Sequence, residues 1–477
     1  MTVHPTKILL LSMGDAFFKG ALWGAYDCKV PLNVACLAAY LEQQGMAVDV
    51  VDLQIAGQPD QIVSRLPLAG YACVGLNATL GNVYNVYTLA GLIKKHAELP
   101  IFSFGVQTVL RDVQLRECPH LDVVAYGEEE LTVQELCAAM ISDRPLADVA
   151  GVIWRNGPDI VVNRPRTIEL DLDSLPFPAF EKFDIDKYQP SPGKFLKRPQ
   201  FQMITSRGCR WRCFFCSNLR GKAMRFRSPE NIVAEIDLLQ KKYGAQEIEF
   251  VDDTFTADRD RAMRFVELMR ARRDRISFRI CSRVDQVDLE LLASLKSVGL
   301  YSVGYGMESG VDAILEQNRK DITTAQIRKA VAMTRQTGLE VRGFFMINLP
   351  GDTRDTIGRT ESFIKELDLD LVNVQITYPW PGTALREHVR ANYEVDEELW
   401  DKWDRCDGDD IVFLQPGLDK DYLSSTYRRI IRDFYFRPRF ILRWLKRIRT
   451  WYDLKYSIFQ AYALFANSVL GSLRSTK

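Results

Sequence analysis

The chain has 477 residues, 47% hydrophobic and 26% charged, enough for about three ordinary soluble domains at roughly 150 residues each. Lys+Arg and Asp+Glu both total 62, so no overall charge draws the protein to nucleic acid or to an acidic partner. The opening MTVHPTKILLLS holds too short an apolar run for a signal peptide, and no window reaches the roughly 18 apolar residues of a membrane span.

In chain order, KILLL (7–11) reads as a buried strand and PLNVACLAAYLEQQ (31–44) as a helix stopped by Gly45. AVDVVD (47–52), YACVGLNAT (71–79) and LPIFSFG (99–105) read as further strands, with a helix across 83–97. Strands alternating with helices predict parallel βαβ units, so residues 1–150 are expected to form a doubly wound, Rossmann-like domain. Ligands of such sheets bind at the C-terminal strand ends. Those ends carry Asn77, Thr79, Gly105, Gln107 and Thr108, and Gly127 and Glu128 follow a further strand, VVAYG. Small and polar residues there also serve ordinary turns, and both readings stand at this point.

Residues 151–198 are proline-rich, as in Leu175-Pro176-Phe177-Pro178 and Ser191-Pro192-Gly193, and read as a linker. After it FQMIT (201–205), EIEFVDD (247–253), ISFRICS (276–282), YSVGYGME (301–308), EVRGFFMIN (340–348) and LVNVQITY (371–378) are expected as strands, with helices between them. Six βα units over 199–390 fall short of an eight-fold barrel and predict a partial (β/α)6 barrel or an open α/β sheet. Residues 391–477 are expected to be mostly helical.

Ten cysteines without a secretion signal point to reduced thiols or metal ligands, and to the cytoplasm. Three of them, Cys209, Cys213 and Cys216, stand in TSRGCRWRCFFCSN (205–218), directly after the first strand of the second series. Structural zinc sites ordinarily need four ligands, and no second pair accompanies these. Three thiolates with an open fourth position suit an iron–sulfur centre that does chemistry.

The C-x3-C-x2-C spacing after the first strand of a partial barrel resembles the radical S-adenosylmethionine (SAM) superfamily. That resemblance implies a four-iron–four-sulfur cluster on Cys209, Cys213 and Cys216, with SAM chelating the fourth iron and split by one electron into methionine and a 5′-deoxyadenosyl radical. It implies a one-electron reductase of the flavodoxin or ferredoxin type as partner. Phe215 matches the aromatic position near the adenine. Asp252, Asp253 and Thr254 occupy the second-strand position that contacts the SAM amino group, although the family's usual Gly-Gly-Glu is absent. Glu308 is similar to the fourth-strand acid that binds ribose hydroxyls, and Arg283 suits the SAM carboxylate.

A doubly wound domain ahead of such a barrel resembles the cobalamin-binding subgroup, through PLNVACLAAYLEQQG (31–45), DVVAYGEEEL (122–131) and LPFPAF (175–180). Cobalamin is therefore an expected cofactor. The D-x-H-x-x-G motif of proteins with a histidine beneath the cobalt is missing, so base-off cobalamin is expected. Three activities remain open: methyl transfer to an unactivated carbon of a small or lipophilic molecule, a non-methylating cyclisation, contraction or rearrangement, and a non-catalytic iron–sulfur or corrinoid carrier. A tRNA methylthiotransferase lacks support, because its extra N-terminal cysteine triplet is not visible, and no nucleic-acid partner is expected. Between Tyr427 and Arg449 nine Lys/Arg, one acid and six aromatics, with Ile441, Leu442, Leu445 and Ile448 at helical spacing, fit either a helix covering the barrel or one lying peripherally on an anionic membrane face.

Overall fold

The computed structural model describes residues 6–14, 28–105, 110–167, 170–190, 195–217, 220–402 and 411–445, with short pieces between 448 and 462. They divide into two compact units, one reaching Pro190 and the other beginning after it.

The first unit is built on a seven-stranded sheet. Strands β1 (Lys7–Ser12), β2 (Val48–Asp52), β3 (Tyr71–Asn77), β4 (Ile101–Phe104) and β5 (Val123–Ala125) run parallel. Helices cover both faces, which is why these strands read as near-continuous apolar runs rather than alternating ones. One core gathers Ile8, Leu10, Phe102 and Phe104 against the helix Leu32–Gln43; the other gathers Leu9, Leu11, Val74 and Leu76 against the helix Val83–His96. β6 (Val152–Asn156) and β7 (Asp159–Val162) add an antiparallel hairpin, turned at Asn156-Gly157 with Gly157 at φ 62°. The sequence reading does not anticipate this hairpin, because its outer strand is short and mostly exposed and lacks a strong apolar pattern.

The strand order is β2-β1-β3-β4-β5-β6-β7. Connections leave β1 in both directions, so the crevice between the C-terminal ends of β1 and β3 is the switch point where such sheets bind ligands.

The second unit carries all six expected strands: β8 (Gln200–Met203), β11 (Glu247–Phe250), β12 (Ser277–Ser282), β13 (Leu300–Glu308), β14 (Glu340–Ile347) and β15 (Leu371–Ile376). All pair in parallel, in the order β15-β14-β13-β12-β11-β8. β8 and β15 remain the two edges, as in a partial barrel. A two-stranded ladder of β9 (Ser206–Arg207) and β10 (Arg225–Phe226) closes the long excursion between β8 and its first helix.

The C-terminal region is helical, as expected. Asp419 caps the helix Lys420–Tyr435 by accepting from the Tyr422 amide. Its buried stripe of Leu423, Thr426, Ile430 and Phe434 faces the protein, and the Tyr435 hydroxyl donates to the Val372 carbonyl of β15 at 2.6 Å. In the next helix, Pro438–Leu445, Arg439 and Arg443 pair with Asp368, and Arg443 also with Asp370. Ile441, Leu442 and Leu445 stay exposed.

Candidate functional site

In the second unit the chemistry-bearing residues collect where the strands end. The cysteine loop leaves β8 through Thr205 and Ser206, and Asp252 at the end of β11 holds that exit. Its carboxylate accepts from the Thr205 amide at 2.9 Å, from the Thr205 hydroxyl at 3.0 Å and from Ser206. Asp252 is 3% exposed. Its lone pairs are spent on the loop, so it acts here as an anchor rather than as a free ligand contact. Thr254 likewise turns its hydroxyl onto the Asp253 carbonyl. Asp253 is the open member of the three, and its carboxyl sits raised from the ordinary range by desolvation, opposed by Arg220 and reinforced by Asp252.

Gly208 starts the loop at φ +90°, and a Cβ there would meet the Ala223 carbonyl oxygen at 2.1 Å. Only glycine permits this close backbone approach. The Cys209 amide donates to the Gly221 carbonyl, the Phe214 amide to the Asn318 carbonyl and the Cys216 amide back to the Cys213 carbonyl. The backbone of the loop is thus fixed at both ends and in the middle. Cys209 and Cys213 are half-buried and Cys216 is exposed.

Burial raises the Cys209 thiol; the Trp211 amide opposes this, while Asp253, Cys216 and Cys213 raise it further. Among the described residues no three His, Cys, Asp or Glu side chains are drawn in to hold a single metal ion. A four-iron cluster asks for something wider, since each thiolate takes a different iron. Three soft donors on one pinned loop fit that group.

Glu308 ends β13 at φ 62° and is 8% exposed. Its Oε1 accepts from the Lys320 ammonium at 2.8 Å. Gly306 makes room for the pair, because a Cβ there would lie 2.6 Å from the Glu308 oxygen and 2.8 Å from the Lys320 nitrogen. Burial works to lower the Lys320 pKa, but Glu308 and the Cys213 thiol outweigh it and leave it raised. The Lys320 nitrogen also stands 6.0 Å from the centre of the Phe215 ring. Lys320 therefore joins Glu308, Phe215 and the cysteine loop, and the sequence reading missed it. Its one signal is the run Asn318-Arg319-Lys320, whose return toward the site depends on positive φ at Arg319 and Asp321.

Arg283, after β12, is 5% exposed. Nε and Nη2 donate to Asp285, and Nη2 also reaches the Lys320 carbonyl at 2.9 Å. Its guanidinium carbon lies 4.6 Å from the centre of the Trp211 ring. Nη1 is buried with no partner. A buried guanidinium with one donor to spare suits an incoming carboxylate.

In the first unit Asn77 and Thr79 lie at the C-terminal end of β3, beside the switch point, Gly105 follows the neighbouring β4, and Gly127 and Glu128 follow β5, two strands from β3. Asn77 donates to the Ser12 hydroxyl at 3.3 Å and accepts from Asn33 at 2.6 Å. The Thr79 amide donates to Asn82, whose own amide donates to the Met13 and Asn77 carbonyls. Asn33 and Asn82, unnoticed in the sequence, are thus the braces of this edge. Gly105 adopts φ +120°, and a Cβ there would meet the Ala78 carbonyl oxygen at 2.5 Å, whereas at Gly127 the place of a Cβ has nothing within 4 Å among the described residues. Glu128 caps the helix Glu129–Ile141 beside it. Gln107 and Thr108 lie outside the described residues. His96 and His120 are exposed and precede β4 and β5, at the opposite edge of the sheet.

Residues 203–364 match the Radical SAM superfamily. An uncharacterized methyltransferase of Pyrococcus horikoshii is 31% identical over 424 residues, 87% of this chain and 89% of that one. The anaerobic magnesium-protoporphyrin IX monomethyl ester cyclase of Rubrivivax gelatinosus is 26% identical, over 84% of this chain and 73% of its own length. Among solved structures, the radical S-adenosylmethionine methyltransferase TsrM from Kitasatospora setae, with cobalamin and a [4Fe-4S] cluster bound, superposes with a TM-score of 0.70 at 15% identity, covering 91% of this chain and 89% of that chain. The chain belongs to the radical SAM superfamily and is a radical SAM enzyme; its fold is that of the cobalamin-dependent subgroup.

Proposed function

We propose that this protein is a cobalamin-dependent radical SAM methyltransferase that places a methyl group on an unactivated carbon of a small or lipophilic molecule. The observation that carries the reading is the linked set Glu308–Lys320–Cys213–Cys209–Asp253 at one end of the six-stranded sheet. It sets soft donors, an acid for a ribose diol, a second carboxylate and one cation, Lys320, side by side.

In this reading Cys209, Cys213 and Cys216 hold the cluster, which passes one electron to SAM when bound, while cobalamin carries the methyl group. Phe215 packs with Val311, Ile314 and Leu349 to wall an adenine. Glu308 accepts from the ribose hydroxyls, and Lys320 holds that carboxylate in place through the buried 2.8 Å contact. Arg283 offers Nη1 to the SAM carboxylate, and Asp253, more open than Asp252, accepts from the amino group. At the C-terminal strand ends Thr79, Gly105, Gly127 and Glu128 line the cobalamin side, with Asn77 bracing it beside β1. No described histidine of the first unit lies at that edge, in keeping with a base-off cobalamin.

Methyl transfer takes precedence over cyclisation because the relative at 31% identity is a methyltransferase; the cyclase likeness supports ring formation as the second reading. Product analysis separates them: S-adenosylhomocysteine accumulates in methylation and is absent from cyclisation.

Two partner readings accompany this. The first is a one-electron reductase of the flavodoxin or ferredoxin type. The second is peripheral membrane contact through exposed Ile441, Leu442, Leu445 and Trp451. No described helix is long and apolar enough to cross a membrane, and Arg439 and Arg443, two of the expected lipid-facing cations, are already committed to Asp368 and Asp370. Salt-sensitive flotation with anionic liposomes, lost on deleting 438–477, tests the contact.

A further inference from the structure

Seven basic residues and no acid fall between Thr205 and Arg227, in a chain whose basic and acidic totals are equal. The fold sorts them. Arg207 is buried, Arg227 pairs with buried Glu235 and Arg220 acts on Asp253. Arg210, Arg212 and Lys222 remain exposed, and exposed Arg319 joins them with its guanidinium carbon 5.4 Å from the centre of the Phe214 ring. Arg210 bonds the Ala257 carbonyl and the Gln286 amide oxygen, and Lys222 bonds the Trp211 carbonyl. Among the described residues none of these four cations is paired with a carboxylate.

All four touch or adjoin the loop that carries the cysteines, of which Cys216 is exposed. Cations deeper in, Arg283 and Lys320, already offset charge inside the site. Exposed and unpaired cations act instead on whatever approaches from solution. Among the described residues of this stretch no large apolar side chain is exposed, so they offer no anchor of the kind a lipid surface needs.

We propose that Arg210, Arg212, Lys222 and Arg319 form the docking rim for an acidic one-electron carrier of the flavodoxin or ferredoxin class. This rests on the radical SAM methyltransferase reading above. The reduced carrier is oxidised by one electron, and that electron enters the sulfur–carbon bond of SAM, which breaks to methionine and the 5′-deoxyadenosyl radical. No proton is required. Docking on this rim sets the carrier against the loop that carries the three cysteines, of which Cys216 is exposed.

The test uses the full chain loaded anaerobically with iron and sulfide, and a purified flavodoxin and a plant-type [2Fe–2S] ferredoxin as probes. Calorimetry gives the Kd at low and high salt for the unaltered chain, for R212E/R319E and for R212Q/K222E. The rim predicts binding that weakens with salt, a Kd raised at least about tenfold in R212E/R319E and by less in R212Q/K222E, with a shallower salt dependence in both. Iron content and dithionite-driven SAM cleavage should stay unchanged. Should R212E/R319E lose iron, the R212Q/K222E variant, which keeps Arg319, decides the question. Unaltered Kd values in the variants, no carrier binding, or equal competition by an unrelated single-stranded RNA would overturn the proposal. Failure of dithionite to drive SAM cleavage in the unaltered chain would instead sink the methyltransferase reading itself.

Discussion

The Glu308–Lys320 pair gives the sharpest mutational test of the site. Lys320 is 7% and Glu308 8% exposed, and their polar atoms meet at 2.8 Å. Removing one partner of a buried pair strands the other and costs about 3–5 kcal/mol. Lys320→Met should therefore lower the unfolding free energy of the second unit by that amount, read as a lower urea midpoint with the m-value unchanged. At about 2–4 °C per kcal/mol for a unit of this size, its melting temperature should fall by roughly 6–20 °C. Glu308→Gln should cost a comparable amount, since it leaves the Lys320 ammonium buried beside Cys213. The double variant should recover about 2 kcal/mol or more of the summed loss, because the two effects share one interaction. Either single variant should also weaken SAM binding at least about tenfold by calorimetry on cluster-loaded protein. Singles that each cost under about 1 kcal/mol, a strictly additive double and an unchanged SAM affinity would together refute the argument that this pair organises the site.

Gly208→Ala should leave less than about one iron per chain after reconstitution, since its Cβ would press on the Ala223 carbonyl; a full iron complement would show that the loop tolerates the shift. Cys209→Ala, Cys213→Ala and Cys216→Ala should each abolish the brown absorbance and SAM cleavage, whereas Cys281→Ala should keep both; near four irons per chain in any of the first three would break the ligand assignment. The cob(II)alamin form should show no nitrogen superhyperfine splitting in electron paramagnetic resonance, and a triplet pattern would place a histidine beneath the cobalt. Burial pushes the Asp352 carboxyl up to about 6, against hydrogen bonds from Thr356 and the amides of Leu349 and Asn348. Between about pH 4 and 6 the folded chain then holds a proton that the unfolded chain has released, so stability falls as pH rises, by at most about 3 kcal/mol. Asp352→Asn should flatten that slope in urea titrations at several pH values, and an unchanged slope would remove Asp352 as its cause.

The strands of both units were legible because parallel strands covered on both faces are short apolar runs, and such runs stand out between helical periods. The hairpin after residue 150 was not, since an exposed edge strand such as Asp159–Val162 has no core pattern to show. At the site, the cysteine triplet could be read from spacing alone. Lys320 could not, because its approach to Glu308 depends on a reversal through left-handed residues that no periodicity encodes. Asp252 shows the converse. Its place at the end of β11 was read correctly, but only the fold shows that Thr205 and Ser206 consume its carboxylate, and short polar side chains at strand ends look alike whether they brace a loop or face a ligand. Asn82 and Asn33 were hidden for the same reason.

The central claim is tested most directly by anaerobic purification with iron, sulfide and cobalamin, followed by reaction with SAM and a strong reductant. Chromatography should then find both 5′-deoxyadenosine and S-adenosylhomocysteine, with the second formed only when cobalamin is present. Deoxyadenosine alone, with or without cobalamin, would contradict methyl transfer; neither product from protein carrying a full cluster would contradict the radical SAM site built here.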